Sequence, residues 1–199
     1  MEASVSDFPK IPDSWDRFGN GFTRWLGKTV LKIWGWKVEG DIPDIPKAMF
    51  TVAPHTSNWD FPLGVMLMFA MDFKVYWMGK HTLFKWPFKG IMTKWGGIPV
   101  YRHAPRGLAE QIADQFRSHE TMLITIAPEG TRKKIGHFKT GFLRIAQAAE
   151  VPVFRVTFEY KTKTIIFCGL YYPTGNLEQD AKDCYEFFGQ FTGKVPENY

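Results

Sequence analysis

The stretch AMFTVAPHTSNWDFPLG, residues 48–64, runs from small, apolar and β-branched residues through a proline into a cluster of helix-capping residues. Residues 48–53 read as a strand. Pro54 lacks an amide hydrogen and stops the ladder, which leaves His55 in the loop at the strand's exit. Thr56, Ser57 and Asn58 are all favoured N-caps, so a helix is predicted to begin there with Asp60 in its first turn. The five-residue spacing then makes sense. Five positions along a helix turn about 140° away, so a shared helix would point the two side chains apart. With only Asp60 helical, its carboxylate can reach back to the imidazole.

The same strand-then-helix pattern recurs along the chain. KVYWMG (74–79), GIPVYR (97–102), TMLITIA (121–127) and VPVFRVTFEY (151–160) read as strands, several buried on both faces, and KTIIFCG (163–169) returns from the last across Lys161–Thr162 as a hairpin. Between them, Leu108, Ile112 and Phe116 mark an amphipathic helix, GFLRIAQAAE (141–150) a shorter one, and Leu177, Ala181, Cys184, Tyr185 and Phe188 a third. Alternation of this kind predicts one α/β domain, residues 41–199, with a central mixed, largely parallel sheet flanked by helices. No internal repeat or low-complexity segment interrupts it.

Residues 1–40 differ in kind. In GFTRWLGKTVLKIWGWKV (21–38), Arg24, Lys28 and Lys32 form a basic row, while Phe22, Trp25, Leu26, Val30, Ile33 and Trp34 occupy much of the remainder. That is the pattern of an amphipathic helix lying in the lipid headgroup region, and a helix packed on the domain with its lysines in water is the plainer alternative. Gly27 and Gly35 weaken the helix under either reading.

Composition agrees with a folded domain: of 199 residues, 23% are charged and 45% hydrophobic. Aromatics are high at 17%, with 8 Trp and 18 Phe, and amphipathic rings favour interfaces. The longest uncharged apolar run, residues 61–71, is roughly half of what a membrane-spanning helix needs. Two cysteines, Cys168 and Cys184, make no disulfide framework, so a reducing compartment is the default. The net charge of +5 is unevenly spread. Residues 73–109 and 130–149 carry many Lys and Arg and no Asp or Glu, which favours an anionic partner over merely solvated lysine faces.

Three loops at strand ends carry candidate chemistry. A carboxylate on one ring nitrogen of His55 would fix the tautomer and leave the other nitrogen free to take a proton. Alone, that spacing is common by chance. The second loop, IAPEGTRKK (126–134), offers Gly130 for close backbone approach, the Thr131 hydroxyl and the planar fork of Arg132, suited to phosphate. Glu129 there could orient Arg132 or bond an acceptor hydroxyl. The third, WGGIPVYR (95–102), ends in Arg102. No G-x-S-x-G elbow surrounds Ser57, and His81, His103, His119 and His137 show no metal-ligand spacing, so neither an acyl-serine nor a metal is expected.

HTSNWD, GGIPVYR, PEGTR and VPV stand in the order of four blocks of the glycerolipid acyltransferases. Over residues 48–158 the chain resembles the PlsC-like lysophosphatidic acid acyltransferase family, in its short bacterial form. The resemblance implies acyl transfer from acyl-CoA or acyl carrier protein to a lysophospholipid hydroxyl, in phospholipid biosynthesis. It implies no cofactor beyond the acyl thioester, and a peripheral location on the cytoplasmic side of the membrane. By carry-over, His55 is the base and Asp60 its orienter, while Glu129, Gly130, Thr131 and Arg132, with Arg102, bind the acceptor phosphate. Lys80 matches a lysine near the family's site. The chain departs from the pattern at Arg155, where a second proline is common, at Ala127, where an aromatic precedes Pro128, and at Lys133, where serine is frequent. Rival readings are a different lysolipid acceptor and a catalytically silent membrane-surface protein, the latter opposed by His55, Asp60, Glu129 and Arg132 all being present. No nucleic-acid partner is expected, because the basic, aromatic span 74–106 carries no nucleic-acid signature and mixes its rings with Met and Phe.

Overall fold

The computed structural model describes residues 8–100 and 107–199, apart from the side chains of Lys80 and Leu83. Seven strands make one sheet: β1 (Lys37–Gly40), β2 (Lys47–Val52), β3 (Tyr76–Lys80), β4 (Gly97–Val100), β5 (Met122–Ile126), β6 (Val153–Glu159) and β7 (Thr164–Tyr171). Their order is β1-β7-β6-β2-β5-β3-β4. Every neighbouring pair is parallel except the β6–β7 hairpin. The expected mixed, largely parallel sheet is what forms. The last two residues of the expected strand 97–102 lie outside the described residues.

Among the described residues six α-helices accompany the sheet: α1 (Gly21–Trp34), α2 (Asp60–Met71), α3 (Lys89–Lys94), α4 (Leu108–Ser118), α5 (Gly141–Ala149) and α6 (Leu177–Phe188). Strand alternation sends side chains to two cores. Ala48 and Phe50 of β2 join Leu63, Leu67 and Met68 of α2 and Leu31 of α1. Met49 of the same strand joins Ile112 and Phe116 of α4, Phe142 and Leu143 of α5, and Cys184 and Phe188 of α6. The β2-α2-β3 crossover therefore runs over one face and β5-α5-β6 over the other. β2 and β5 are adjacent, and their chains leave in opposite directions from the same end of the sheet. Such a switch point opens a crevice at the carboxyl ends of the strands, where α/β sheets bind ligands.

Two elements were not visible in the sequence. β1 is a short edge strand with mostly exposed residues, paired with β7, and it falls inside the 1–40 segment. α3 buries no residue. α1 packs on the domain along one side and leaves apolar residues exposed on another. Leu31 and Gly27 are buried against α2, whereas Phe22, Trp25 and Ile33 are 60% to 76% exposed. Its glycines strengthen the structure instead of weakening it. A Cβ on Gly27 would stand 2.4 Å from the Ala70 amide nitrogen, so the two helix backbones touch there. Gly35, at φ 75°, is the left-handed cap, its amide returning to the Leu31 and Lys32 carbonyls. No helix among the described residues is long and apolar enough to cross a membrane.

Candidate active site

β2 ends at Val52 and α2 begins at Asp60, so His55 lies in the connecting loop and Asp60 on the first helical turn. His55 Nδ1 sits 2.9 Å from Asp60 Oδ2. The Asp60 carboxylate is 3% exposed but fully occupied. Its Oδ2 also accepts the Ser57 amide at 3.2 Å, and its Oδ1 accepts the Tyr160 hydroxyl at 2.6 Å. A negative charge in a helix's first turn is favoured by the helix dipole. With Nδ1 tied to Asp60, Nε2 is the ring nitrogen left to take a proton, and His55 lines the cavity.

The second loop leaves β5 beside it. Ala127 to Gly130 form a turn closed by the Gly130 amide on the Ala127 carbonyl at 3.0 Å, with Gly130 at φ 63°. That left-handed backbone suits glycine. Gly130, Thr131 and Arg132 line the same cavity as His55. Glu129 does not. It is 4% exposed, and its Oε1 accepts the His55 amide at 2.8 Å, while Oε2 has no partner among the described residues. No bond joins it to Arg132 among the described residues. Burial pushes its carboxyl above the usual carboxylate range, with the His55 amide pulling the other way. The PEGTR glutamate thus clamps the histidine loop from behind.

Of the other expected residues, Lys80 is the last residue of β3 and Arg102 lies outside the described residues. Arg155 faces away from the cavity, its guanidinium 3.8 Å from the Phe187 ring centroid on the far face of the sheet. Its departure from the acyltransferase pattern is therefore a packing matter between β6 and α6. Two site residues escaped the sequence reading. Lys139 lines the cavity and covers Gly130, its Nζ 3.3 Å from where a Cβ would be; the acid-free run 130–149 was its only signal. Tyr160 gave no signal at all.

The cavity measures about 780 Å³. Its polar end holds His55, Thr131, Arg132 and Lys139. From there it runs between α2 and the sheet, past Gly64, Met68, Phe73, Phe158 and Phe167, into apolar surroundings. Aromatic rings pair near the histidine loop and around the lining residues Phe61 and Trp77. Trp34 packs edge-on against Trp59 at 6.2 Å, Phe61 against Trp77 at 5.1 Å, and Trp77 stacks on Phe84 at 5.8 Å. Trp86 is 91% exposed. Among the described residues no group of three or more His, Cys, Asp or Glu could hold a metal ion.

The geometry matches known proteins at two levels. The Acyltransferase family model matches residues 37–159. The fold is similar to the crystal structure of the 1-acyl-sn-glycerophosphate (LPA) acyltransferase PlsC from Thermotoga maritima, at a TM-score of 0.60 and 17% identity, covering 84% of this chain and 75% of that one. No match is found among curated proteins.

Proposed function

Because this chain belongs to the Acyltransferase family, we propose that it moves an acyl group from an acyl thioester, acyl-CoA or acyl carrier protein, to the hydroxyl of a lysophospholipid, with lysophosphatidic acid the favoured acceptor. One observation carries the reading: a His–Asp pair and a cationic cluster stand at the mouth of a cavity whose interior is apolar. A lipid with an anionic head and a long chain has that shape of chemistry.

In the mechanism, Nε2 of His55 takes the proton of the acceptor hydroxyl as its oxygen attacks the thioester carbonyl. Asp60 faces the imidazolium that forms, and Tyr160 and the Ser57 amide hold Asp60 still. Collapse of the tetrahedral intermediate breaks the C–S bond, and the leaving thiolate takes the proton back from Nε2. No group beyond the two substrates is needed for this balance. Such a base contributes roughly 10²–10⁴-fold. Arg132 and Lys139 would meet the acceptor phosphate, Arg132 through its fork. Thr131 and the Gly130 backbone stand beside them, and Lys80 closes β3. Glu129 acts one step back, through the His55 amide.

The same reading puts the protein on a membrane surface, on the cytoplasmic side. Phe22, Trp25, Ile33, Trp59, Trp86 and Phe88 are exposed, and Lys28, Lys32, Lys85 and Lys89 stand among them. Each basic residue near an anionic bilayer is worth about 1 kcal/mol.

Two-substrate kinetics test the acceptor. Phosphorylated lysolipids should be used in strong preference to their dephosphorylated counterparts, and Arg132→Lys should raise the acceptor KM with the donor KM nearly unchanged. Equal use of both acceptors by the wild type would pass the reading to another lysolipid. Flotation with anionic vesicles tests location: reversing Lys28, Lys32, Lys85 and Lys89 to Glu should leave the protein in the soluble fraction, and undiminished flotation would refute the surface assignment.

A further inference from the structure

We infer that Tyr160 is a positioning residue for the catalytic pair: its hydroxyl locks the Asp60 carboxylate so that one oxygen is always presented to His55. The inference rests on the reading of His55 as the base.

The geometry is specific. Asp60 divides its bonds, Oδ2 taking His55 Nδ1 and the Ser57 amide while Oδ1 takes only Tyr160, at 2.6 Å. Without that third bond, Oδ1 would be a buried acceptor with no protein partner, and the carboxylate could rotate away from the imidazole. Tyr160 itself is anchored on three sides. Its amide donates to the Thr192 carbonyl at 2.9 Å, and its ring meets Trp36 edge-on at 4.9 Å. It follows Glu159, the last residue of β6, whose carboxylate accepts the Lys161 and Thr192 amides at 2.8 Å each. Val195, three residues after Thr192, donates its amide to Thr56 Oγ1 at 3.1 Å in the histidine loop.

Tyr160 does not line the cavity, so it acts through Asp60 and not on substrate. Burial, with the Asp60 bond second, pushes its phenol well above the ordinary tyrosine range, so it stays a donor at any working pH. Among the described residues, the other charged or titratable groups around the pair are Arg132 and Lys139, which share the cavity wall with His55, Glu129, bonded to the His55 amide, and Glu159, taken up by the two amides named above.

A sign follows from the chemistry. A phenol bonded to a carboxylate withdraws negative charge from it. Removing the phenol makes Asp60 a stronger partner for the imidazolium but a less well-aimed one. Tyr160→Phe keeps the ring against Trp36 and removes only the oxygen. It should lower kcat about tenfold with both KM values near wild type. The acid limb of the pH–rate profile should move to higher pH by roughly half a unit. Replacing Tyr160 with 3-fluorotyrosine, a stronger donor, should move that limb the other way. Added to Asp60→Asn, Tyr160→Phe should cost almost nothing more, because the partner it serves has changed.

A purely structural role predicts a lower melting temperature and an unmoved limb. Wild-type kcat and limb in Tyr160→Phe, or losses that simply multiply in the double variant, would overturn the inference. His55→Ala run alongside separates the two readings: activity surviving there removes the base assignment itself. The Nδ1–H proton resonance of His55 reads the positioning without turnover. It should exchange faster in Tyr160→Phe, and an unchanged resonance overturns the role of Tyr160 whatever His55 does.

Discussion

On one face of the sheet α4, α5 and α6 lie a single layer deep, each burying one stripe and keeping its outer side polar. On the other face α2 is apolar nearly all round and is itself covered by α1. The first face packs shut. Phe116, Phe142, Ile145 and Phe188 are all at or below 1% exposure, and Phe138 sets its ring edge-on to Phe142. The second borders most of the 780 Å³ cavity, which runs beneath α2 from His55 to Phe167 and touches α4 only at its first residue, Leu108. A helix bordering a void on one side cannot rely on that side for its burial, so its other flank must be covered. The additional layer is what permits an unfilled core.

If chemistry and selectivity belong to the open face and stability to the closed one, substitutions on the two should separate. The largest effect is expected at the seam between them. His55→Ala should lower kcat by about 10²–10⁴ while leaving the thermal melt unchanged; retention of a tenth of the activity would remove the histidine from the mechanism. On the closed face, Phe142→Ala should cost about 3–5 kcal/mol in denaturant unfolding yet leave the order of preference among acyl chains intact. A changed preference would mean that the two faces are coupled.

Gly64 sharpens the contrast from the other side. It lines the cavity, and a Cβ there would meet only Phe158 Cζ, at 3.8 Å. Gly64→Leu should therefore fill space that a lipid chain would take. kcat/KM for the longest accepted chain should fall roughly tenfold or more, with shorter chains spared and the melt unchanged or higher. Uniform loss across chain lengths would place the chain elsewhere.

The smallest effect concerns Glu129, whose folded-state carboxyl sits above its unfolded value because it is buried. The folded protein binds that proton more tightly than the unfolded one, so this group favours folding at low pH and loses its contribution as pH rises through the raised value. Glu129→Gln removes that titration. Its melting temperature should gain on the wild type by roughly one to three degrees as pH climbs above the ordinary carboxylate range. A gain that shrinks with rising pH would mean the carboxylate is stabilised, not strained, by its site.

The parts of this site that the sequence disclosed are those held by local chemistry. Pro54, the capping residues and Asp60 sit within one short stretch, so the His55–Asp60 contact could be read from how a strand ends and a helix starts. Lys139 and Tyr160 could not. They reach the site through the fold, and Tyr160 is 100 positions from the carboxylate it bonds. β1 and α3 bury little, so neither leaves a periodic pattern to read. Glu129 was placed in the right loop, but its direction depends on how the turn before Gly130 is packed against His55. Arg155 was noticed as unusual, and only the strand's alternation tells that it points to α6.

The bare contact at Gly27 reaches further than its size suggests. Two helices whose backbones touch, with no side chain between them, have little room to slide or rock. α1 and α2 are in effect one rigid lever. Phe22, Trp25 and Ile33 are exposed along α1, and Asp60 is the first residue of α2. Any surface that sets the tilt of α1 therefore also sets the attitude and depth of the carboxylate that aims His55.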